Sequence, residues 1–586
     1  MYFLPIAGGN NSKTILLGRE MKSLSYRFYI LIVILIVVMN VNQGQAQPKI
    51  GLKDAGMLVE KTVLITDRET YSVEENILFT AFNVSSAQLR NSDWSNVLYV
   101  ELVSPDGEAF AQRKYVYHQD GSTGSLKIPV NLLTGNYYLR AYTRWMRDYS
   151  PYNYFYKMIT VINPFRPELL EPSGNKVIHG NDLKPALVNT SDVIIQTGKK
   201  SYSKREQVDL EISAINGEDL TNLLTVSVVP KGTYLPLSPE VPGLQKMIFL
   251  PNFIPETRGL SISGKVVNQA DSLPLPYTLV GLTIFKENPE NRNVLSNEKG
   301  QFFFDLATLK GEYEIFISAK SNGQQMPLIL VDNDFSTQTI ELPYVPVDLS
   351  EESKKCYQSL IFNSQIQELY RQQTIEEEMK SFSSDSSFYG LPDFVLPLKV
   401  YIDMPTIKDY VSELMPQVGI RHEGKRTVLK VLGPYSDLSV YEPMVLVDMV
   451  PVFDIDRVLK IAPEKIERVE VVTKPYVRGD IVYGGIISFF SKKGDLAGID
   501  LPSAGRFITY SMLNSNASQV DANPASTRIP DLQNCLYWNP ALKFKATEPA
   551  KVSFNTGDCS GEYVVVVRGV DKDGKIKIWS SEIRVD

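Results

Sequence analysis

Short runs of alternating apolar and polar residues dominate the chain from residue 58 onward. The segment 208–214, VDLEISA, alternates strictly, as a strand with one buried and one solvated face does. Clusters of Gly, Pro, Asn and Asp separate such runs, and 31 Tyr and 25 Phe supply aromatic side chains that suit a partly covered sheet. The pattern predicts a mainly β, multidomain protein built of tandem antiparallel β-sandwiches.

Two segments depart from the strand pattern. Residues 350–380 place apolar side chains at helical spacing behind Ser350, a suitable N-cap, and a second helix is predicted over about 405–415. The serine-rich stretch 381–387 lies between them. We therefore expect a helix and linker over 350–390 and a small α+β domain over 395–495.

The N-terminus carries one long apolar run. Residues 28–39, FYILIVILIVVM, follow the basic residues Lys22 and Arg27. A membrane-spanning helix needs about 20 apolar residues, whereas the apolar core of a signal peptide needs about 7 to 15. The run therefore predicts a signal peptide, with an uncleaved membrane anchor as the alternative.

The predicted export signal has a definite end. Gly44 and Ala46 supply the small residues that signal cleavage requires, which predicts cleavage after Ala46. Met21 directly precedes the basic stretch, so residues 1–20 are interpreted as an upstream extension. We expect residues 1–46 to be extension and signal peptide, no membrane span after cleavage, and a mature chain in the periplasm or associated with the outer membrane.

Composition narrows the classes of function. The 586 residues predict several domains, and 67 acidic against 60 basic residues give a net charge of -7, which argues against a nucleic-acid binder. Three His and three Cys leave little material for a metal centre. No HExxH, GxSxG or Walker motif is present. We therefore predict no catalytic residue, no cofactor and no metal site.

The three cysteines raise the question of a disulfide. Export would place the chain in an oxidising compartment, where Cys535 and Cys559, 24 positions apart, could pair. Such a bridge would contribute roughly 3 kcal/mol to stability. The alternative is three unpaired buried thiols, including Cys356.

The first β-rich block carries a recognisable pair of motifs. Residues 66–84, TDRETYSVEENILFTAFNV, and 134–147, TGNYYLRAYTRWMR, resemble the macroglobulin-type β-sandwich of large bacterial envelope proteins. The resemblance implies such a sandwich over 50–165, in which Tyr71, Gly135, Tyr137 and Trp145 serve the fold. None of the three Cys has the Cys-Gly-Glu-Gln context of a macroglobulin thioester, which excludes covalent protease trapping.

Two further blocks extend this resemblance. Residues 199–214, KKSYSKREQVDLEISA, repeat the order of a Tyr, polar residues and an alternating strand, which implies a second macroglobulin-like sandwich over 186–255. Residues 505–586 end in alternating strands around an Asp573-Gly574 turn and resemble the terminal β-sandwich of the same envelope proteins. We expect two separate modules.

A different small sandwich is indicated in the middle of the chain. Residues 258–285, then NEKGQFFFDL at 297–306 and GEYEIFISA at 311–319, resemble the carboxypeptidase regulatory-like domain. The resemblance implies a β-sandwich over 258–345. This family's module carries no peptidase residues, so the resemblance argues for architecture and against hydrolysis.

The α+β segment carries a further resemblance. Residues 443–494 contain IERVEV at 466–471, YGGI at 483–486 and KKG at 492–494, and resemble the plug domain of TonB-dependent outer-membrane receptors. Met449 stands where that family usually places a turn glycine. A receptor barrel of about 22 strands needs several hundred residues. Because 92 residues follow Gly494, we expect a plug-like domain and no transporter barrel.

One cluster of aromatic residues is a candidate binding surface. Flat amphipathic rings can stack on sugars or line a partner groove, and the alternative is a strand that packs them inward. The cluster consists of Tyr149, Tyr152, Tyr154, Phe155 and Tyr156.

Together these features predict a non-enzymatic binding or scaffold protein of the cell envelope, linked to outer-membrane transport or surface assembly. We expect an outer-membrane or periplasmic protein partner, docked by strand addition to a sheet edge, while the sequence specifies no small-molecule ligand. One alternative is a secreted hydrolase or protease-interacting factor without a recognisable motif. The other is a purely structural cell-surface protein.

Overall fold

The fold is described from a computed structural model of the chain. The described residues are 59–85, 95–118, 121–171, 177, 184–185, 188–189, 192–215, 220–235, 237–239, 241, 252–286, 289–306, 309–320, 325–371, 388–401, 403–424, 426–433, 440–478, 481–498, 505–514, 520–521, 530–545, 548–571 and 574–586. The predicted extension and signal peptide, residues 1–46, lie outside them.

Eight strands form a first sandwich with a buried aromatic core. Its two sheets have the orders β1-β3-β6 and β2-β8-β7-β4-β5. Tyr71, Tyr115 and Tyr137 fill the core between them. The strands are β1 Thr62–Thr66, β2 Thr70–Ser72, β3 Asn76–Asn83, β4 Val97–Val103, β5 Ala109–Val116, β6 Ser122–Lys127, β7 Gly135–Tyr142 and β8 Phe155–Ile162.

The chain then begins a second sandwich. Val208, Leu210 and Ile212, the apolar members of the alternating run, are buried, and the residues between them are more exposed. Its strands in this stretch are β10 Val188–Asn189, β11 Val193–Thr197, β12 Ser201–Tyr202, β13 Gln207–Ala214 and β14 Leu220–Pro230. Two short strands, β9 Lys184–Pro185 and β15 Leu237–Ser238, pair with each other in a separate two-stranded sheet.

A third sandwich and one long helix follow. The third sandwich pairs a sheet of order β19-β16-β21 with one that contains β18-β17-β20. Its strands are β16 Ser261–Asn268, β17 Leu279–Phe285, β18 Glu290–Leu295, β19 Gln301–Asp305, β20 Glu312–Ala319 and β21 Pro327–Val331. The predicted helix is α1, Glu351–Arg371, and Ser350 accepts from the backbone N–H groups of Ser353 and Lys354 at its start.

An α+β module comes next. It is built on a five-stranded sheet of order β22-β27-β30-β25-β26. The predicted second helix is α2, which Thr406 and Asp409 begin with a reciprocal capping box. The elements are β22 Phe394–Pro397, α2 Ile407–Leu414, β23 Val418–Glu423, β24 Arg426–Val431, β25 Met444–Val447, β26 Val450–Pro451, α3 Ile455–Leu459, β27 Ile466–Val472, β28 Tyr476–Arg478, β29 Ile481–Tyr483 and β30 Ile486–Ser491.

The last strands return to sandwiches begun earlier. β31 pairs with β20 of the third sandwich. β33 and β35 flank β14, and β34 pairs with β13. These strands are β31 Arg506–Ser511, β32 Val520–Asp521, β33 Tyr537–Lys543, β34 Ala550–Asn555, β35 Gly561–Asp571 and β36 Ile576–Val585.

This topology corrects the expected order of modules. Residues 186–255 and 505–586 do not form two separate sandwiches. Strands from both segments share the sheet β10-β36-β35-β14-β33-β32 and one apolar core, in which Val226 packs with Val565 and Trp579. Each segment alone contributes only part of each sheet, so neither can bury its apolar face without the other. The mainly β, multi-sandwich fold class is confirmed, and the second sandwich is discontinuous in sequence.

The segment after β21 also departs from the expected third module. Ile340, Leu342 and Val345 pack on Tyr138 and Met158 of the first sandwich. Residues 340–345 therefore cover the first sandwich. No helix among the described residues is long and apolar enough to cross a membrane.

Candidate functional site

The aromatic cluster does not form an exposed binding face. Tyr149 and Tyr154 are buried, Phe155 and Tyr156 are half-buried, and Tyr152 is exposed. The Tyr154 ring stacks on Tyr142 at a centroid distance of 4.3 Å, within the apolar cluster shared by the first and third sandwiches. The structure agrees with the alternative that these aromatic side chains pack inward. Tyr154 and Tyr156 belong to the apolar contact between the first and third sandwiches.

The cysteines do not form the expected disulfide. All three thiols are free. Cys535 Sγ hydrogen-bonds to the Tyr537 carbonyl at 3.3 Å, and Cys559 Sγ to Asn363 Oδ1 at 3.4 Å. Cys535 and Cys559 therefore bond to different residues and not to each other. Burial raises the pKa of the Cys535 thiol, which keeps it protonated and unreactive.

The TDRETY motif builds a buried polar centre in the first sandwich. The Tyr71 hydroxyl, which has one hydrogen to donate, lies 2.7 Å from both Asp67 Oδ1 and the Arg68 carbonyl oxygen. Arg68 donates to Asp67 Oδ2 and Glu75 Oε1, also at 2.7 Å. Burial raises the pKa of Tyr71, so its phenol stays a hydrogen-bond donor. The fold role that the sequence assigned to Tyr71 agrees with this geometry.

The same motif joins the first sandwich to the second. Arg568, on β35, is 1% exposed and donates to Glu69 Oε1 at 3.0 Å and to the Thr66 carbonyl at 3.1 Å. Lys157 donates to the same Glu69 oxygen at 2.8 Å. A buried charge whose partner is removed costs several kcal/mol. The network therefore holds the two sandwiches in one relative position.

A second buried network joins the first sandwich to the third. Tyr99 Oη donates to Glu256 Oε2 at 2.9 Å, and the Ser261 backbone N–H donates to Glu256 Oε1 at 2.9 Å. Arg144 donates to Ser261 Oγ at 2.8 Å. Burial raises the pKa of the Glu256 carboxyl, although Arg144 and these hydrogen bonds oppose the rise. Glu256 thus links strands that lie more than 150 positions apart.

Sequence analysis assigned no role to Arg568, Glu256 or Arg144. For Arg568 the available signal was a charge inside an otherwise apolar strand, VVVVRGV. Such a charge is rarely buried unless it is paired. The pattern could have marked this residue, but it does not say which distant segment supplies its partner.

A cavity of about 320 Å³ lies between the first sandwich, α1 and the segment before β33. Arg68, Glu75 and Asn534 are among its lining residues. Asn534 Nδ2 donates to Glu75 Oε1 at 2.9 Å and to the Leu360 carbonyl of α1 at 3.0 Å. These polar groups satisfy one another, so the cavity wall serves mainly to attach the helix.

One pair of carboxyls bears on the hydrolase alternative. Burial raises the pKa of Asp531, and a hydrogen bond from Arg205 lowers that of Asp558. Arg205 donates to both Asp558 oxygens, at 2.7 and 2.6 Å, and the Asp531 backbone N–H donates to Asp558 Oδ2 at 2.8 Å. With its oxygens so occupied, Asp558 acts as a clamp between two loops. Within the described part of the chain, no group of three or more His, Cys, Asp or Glu could hold a metal ion.

The sheets and junctions define a multi-sandwich protein with an inserted α+β module. No family model and no curated protein matches the chain. A trypsin-activated alpha-2-macroglobulin from Escherichia coli is similar over 90% of this chain and 42% of its own, with 9% identity and a TM-score of 0.21.

Two further solved structures are similar to this chain. A methylamine-reacted alpha-2-macroglobulin from Salmonella is similar over 90% of this chain and 23% of its own, with 11% identity and a TM-score of 0.14. The adhesin InvE from Yersinia pseudotuberculosis is similar over 46% of this chain and 58% of its own, with 13% identity and a TM-score of 0.13. The chain spans less than half the length of the two macroglobulins. TM-scores this low carry no argument, so the fold assignment rests on the sheets themselves.

Proposed function

We propose that the chain is an exported, non-enzymatic scaffold of a bacterial cell envelope, which holds its α+β module in a fixed place for an outer-membrane or periplasmic protein partner. The observation that carries this proposal is the nested path of the chain. The chain leaves the second sandwich after β14 and returns to its sheet at β32 and β33. Between these points it builds the third sandwich, which is left after β21 and rejoined at β31.

Nesting restrains the α+β module at both ends. A module on a single linker is free to reorient, whereas one whose two ends enter the same sandwich loses much of that freedom. Contacts add to the restraint, because Lys320 of the third sandwich pairs with Glu442 of the module at 3.0 Å. The buried networks around Arg568 and Glu256 fix the sandwiches in turn. Sandwiches fixed in this way suit a scaffold that holds the α+β module in one position for a partner.

An edge of the presented module suits a partner. Among the described residues β22 is the terminal strand of its sheet and pairs only with β27, and its other edge is where we propose that an extended segment docks. Leu391 and Val400, on either side of β22, are 90% and 73% exposed. Apolar side chains beside an open strand edge favour docking by strand addition. The resemblance of the module to receptor plugs makes an outer-membrane transport protein the partner we expect.

Photo-crosslinking in cells tests this function. A photoreactive amino acid replaces Leu391 or Val400, and a matched control replaces Val130, which is 49% exposed on the first sandwich. We expect an envelope protein to be captured from positions 391 and 400, and not from 130, in membrane fractions. Capture of no envelope protein, or equal capture from all three positions, would contradict the proposal.

Substitution provides the complementary test. Leu391→Glu and Val400→Glu should abolish co-purification of the captured protein and leave stability within about 0.5 kcal/mol, because both side chains are exposed. Val130→Glu is the control and should leave co-purification unchanged. Turnover of polysaccharide or peptide libraries by the purified chain, lost in Asp531→Asn, would instead support the hydrolase alternative.

A further inference from the structure

A second cavity lies between the third sandwich and the α+β module. Its volume is about 220 Å³, and residues from both sides line it. Leu279 comes from β17, and Met444, Pro451 and Ile481 come from the α+β module. Ligand sites are typically concave and mostly apolar, with a few polar groups that fix the orientation of the ligand. This cavity is concave and lined mostly by apolar side chains, as such sites are.

Two buried polar groups at the wall have no partner. Asn293 Oδ1 and Tyr483 Oη make no hydrogen bond within the described part of the chain, although their residues are only 4% and 7% exposed. Asn293 Nδ2 donates to Asn291 Oδ1 at 2.7 Å, which holds the amide in place. Buried polar groups in proteins are nearly always paired. Asn293 Oδ1 can only accept, so it calls for a donor.

The charged residues of the cavity lining carry an excess positive charge. Lys320 Nζ lies 3.0 Å from Glu442 Oε2, and Arg426 donates to both Glu442 oxygens at 2.9 Å. Burial alone would raise the pKa of Glu442, but the bonds from Arg426 and Lys320 outweigh it and lower the pKa to about 2. Glu442 is therefore ionised and neutralises one of the two cations. The second positive charge attracts an anion.

We propose that this cavity binds a small amphipathic anion: a carboxylate held by Arg426 and Lys320, an apolar ring between Leu279 and Met444, and a terminal hydroxyl that reaches Asn293 and Tyr483. A volume of about 220 Å³ accommodates about ten non-hydrogen atoms, fewer than a drug-sized ligand. The bound molecule contacts the third sandwich and the α+β module together. Its binding therefore stabilises their docking, independently of any protein partner at β22.

Ligand-observed NMR titration of the purified full chain tests the proposal with 4-hydroxybenzoate, which has the carboxylate, the ring and the hydroxyl. We expect saturable binding with a Kd of about 1 mM, as suits so small a molecule. Benzoate lacks the hydroxyl and methyl 4-hydroxybenzoate lacks the charge, so each should bind several-fold more weakly. Absence of saturable binding up to about 20 mM would overturn the proposal.

Matched variants locate the site. Arg426→Gln should weaken 4-hydroxybenzoate binding about tenfold and Tyr483→Phe about threefold. Arg421→Gln, on the same hairpin as Arg426, and Tyr476→Phe, beside Tyr483 in its apolar cluster, are controls outside the cavity lining and should leave the Kd unchanged. Thermal unfolding of Tyr483→Phe without the probe should match that of the parent, since Tyr483 Oη has no bond to lose. Arg426→Gln loses two hydrogen bonds to Glu442, so its unfolding temperature is measured beside its Kd to show that the variant is folded. Equal weakening in the cavity variants and the controls would overturn the assignment.

Discussion

At the scale of single residues, buried charges position the modules. Arg140, Arg144 and Arg568 are each no more than 2% exposed, and Arg140 and Arg568 lie in strands of mostly apolar residues. Arg140 pairs with Glu101 of its own sheet and also donates to the Gln338 carbonyl of the covering segment. Removing a charge from water is costly unless a partner is supplied, so these residues fix which surfaces must meet.

The buried carboxyl of Glu60 makes the free energy of unfolding depend on pH. It accepts hydrogen bonds from Thr143 and Ser95 through Oε2, while Oε1 has no partner among the described residues. Burial raises the pKa of Glu60 from 4.5 to about 7. The folded state therefore holds its proton more tightly than the unfolded state. This contribution to stability is complete below pH 4.5 and is lost as the pH rises to about 7.

Glu60→Gln should remove this part of the pH dependence, because an amide resembles the protonated carboxyl. Between pH 4.5 and 7.5, we expect the free energy of unfolding of the parent to fall by about 3 kcal/mol more than that of the variant. Urea unfolding at a series of pH values measures the difference. Glu351→Gln is the control, with a side chain 84% exposed. Identical slopes for parent and Glu60→Gln would show that Glu60 is ionised in the fold.

At the scale of elements, local patterns specified helices and hairpins well. Helical spacing behind the N-cap Ser350 predicts α1, the stretch 405–415 predicts α2, and strict alternation predicts β13. The turn between β25 and β26 is less regular. Asp448 and Met449 both have positive φ, 46° and 67°, as a two-residue hairpin turn requires. Met449 thus occupies a conformation that glycine adopts without strain, and the tight turn forms despite the substitution.

The packing of its buried side chain explains why Met449 is tolerated at this turn, and Met449→Gly tests that explanation. Met449 is 4% exposed and packs with Met444, Leu446 and Ile486. Glycine would relieve about 1 kcal/mol of backbone strain but forfeit about 2–5 kcal/mol of packing. We expect a net loss of about 1–4 kcal/mol in urea unfolding. Met449→Leu keeps the volume and should stay within about 1.5 kcal/mol. A glycine variant more stable than the parent would mean that turn strain dominates.

At the scale of the whole molecule, the discontinuous second sandwich makes the modules interdependent. β14 lies between β33 and β35, so its apolar residues Val226 and Val228 are buried by strands more than 300 positions later. A chain with two independent modules would not have this property.

Truncation before residue 532 distinguishes the two organisations. It removes β33 to β36, so we expect strands β11 to β14 to lose their protection in amide hydrogen exchange. Peptides from residues 261–319 of the third sandwich serve as an internal control and should stay protected, because none of their strand partners is removed. Retained protection over 193–230 would show that residues 186–255 fold alone.

The amino-acid sequence by itself determined what depends on neighbours along the chain. Alternation, capping residues and turn glycines specified most strands, both longer helices and the mainly β class, because these follow from local periodicity and backbone preference. The tertiary structure alone decided which strands share a sheet, that the aromatic rings near Tyr154 face inward, and that Cys535 and Cys559 stay apart. It also brought Asn293, Lys320, Arg426 and Tyr483 to one cavity. These features depend on contacts between segments far apart in sequence, where burial and charge pairing select the arrangement and local pattern carries no information about the partner.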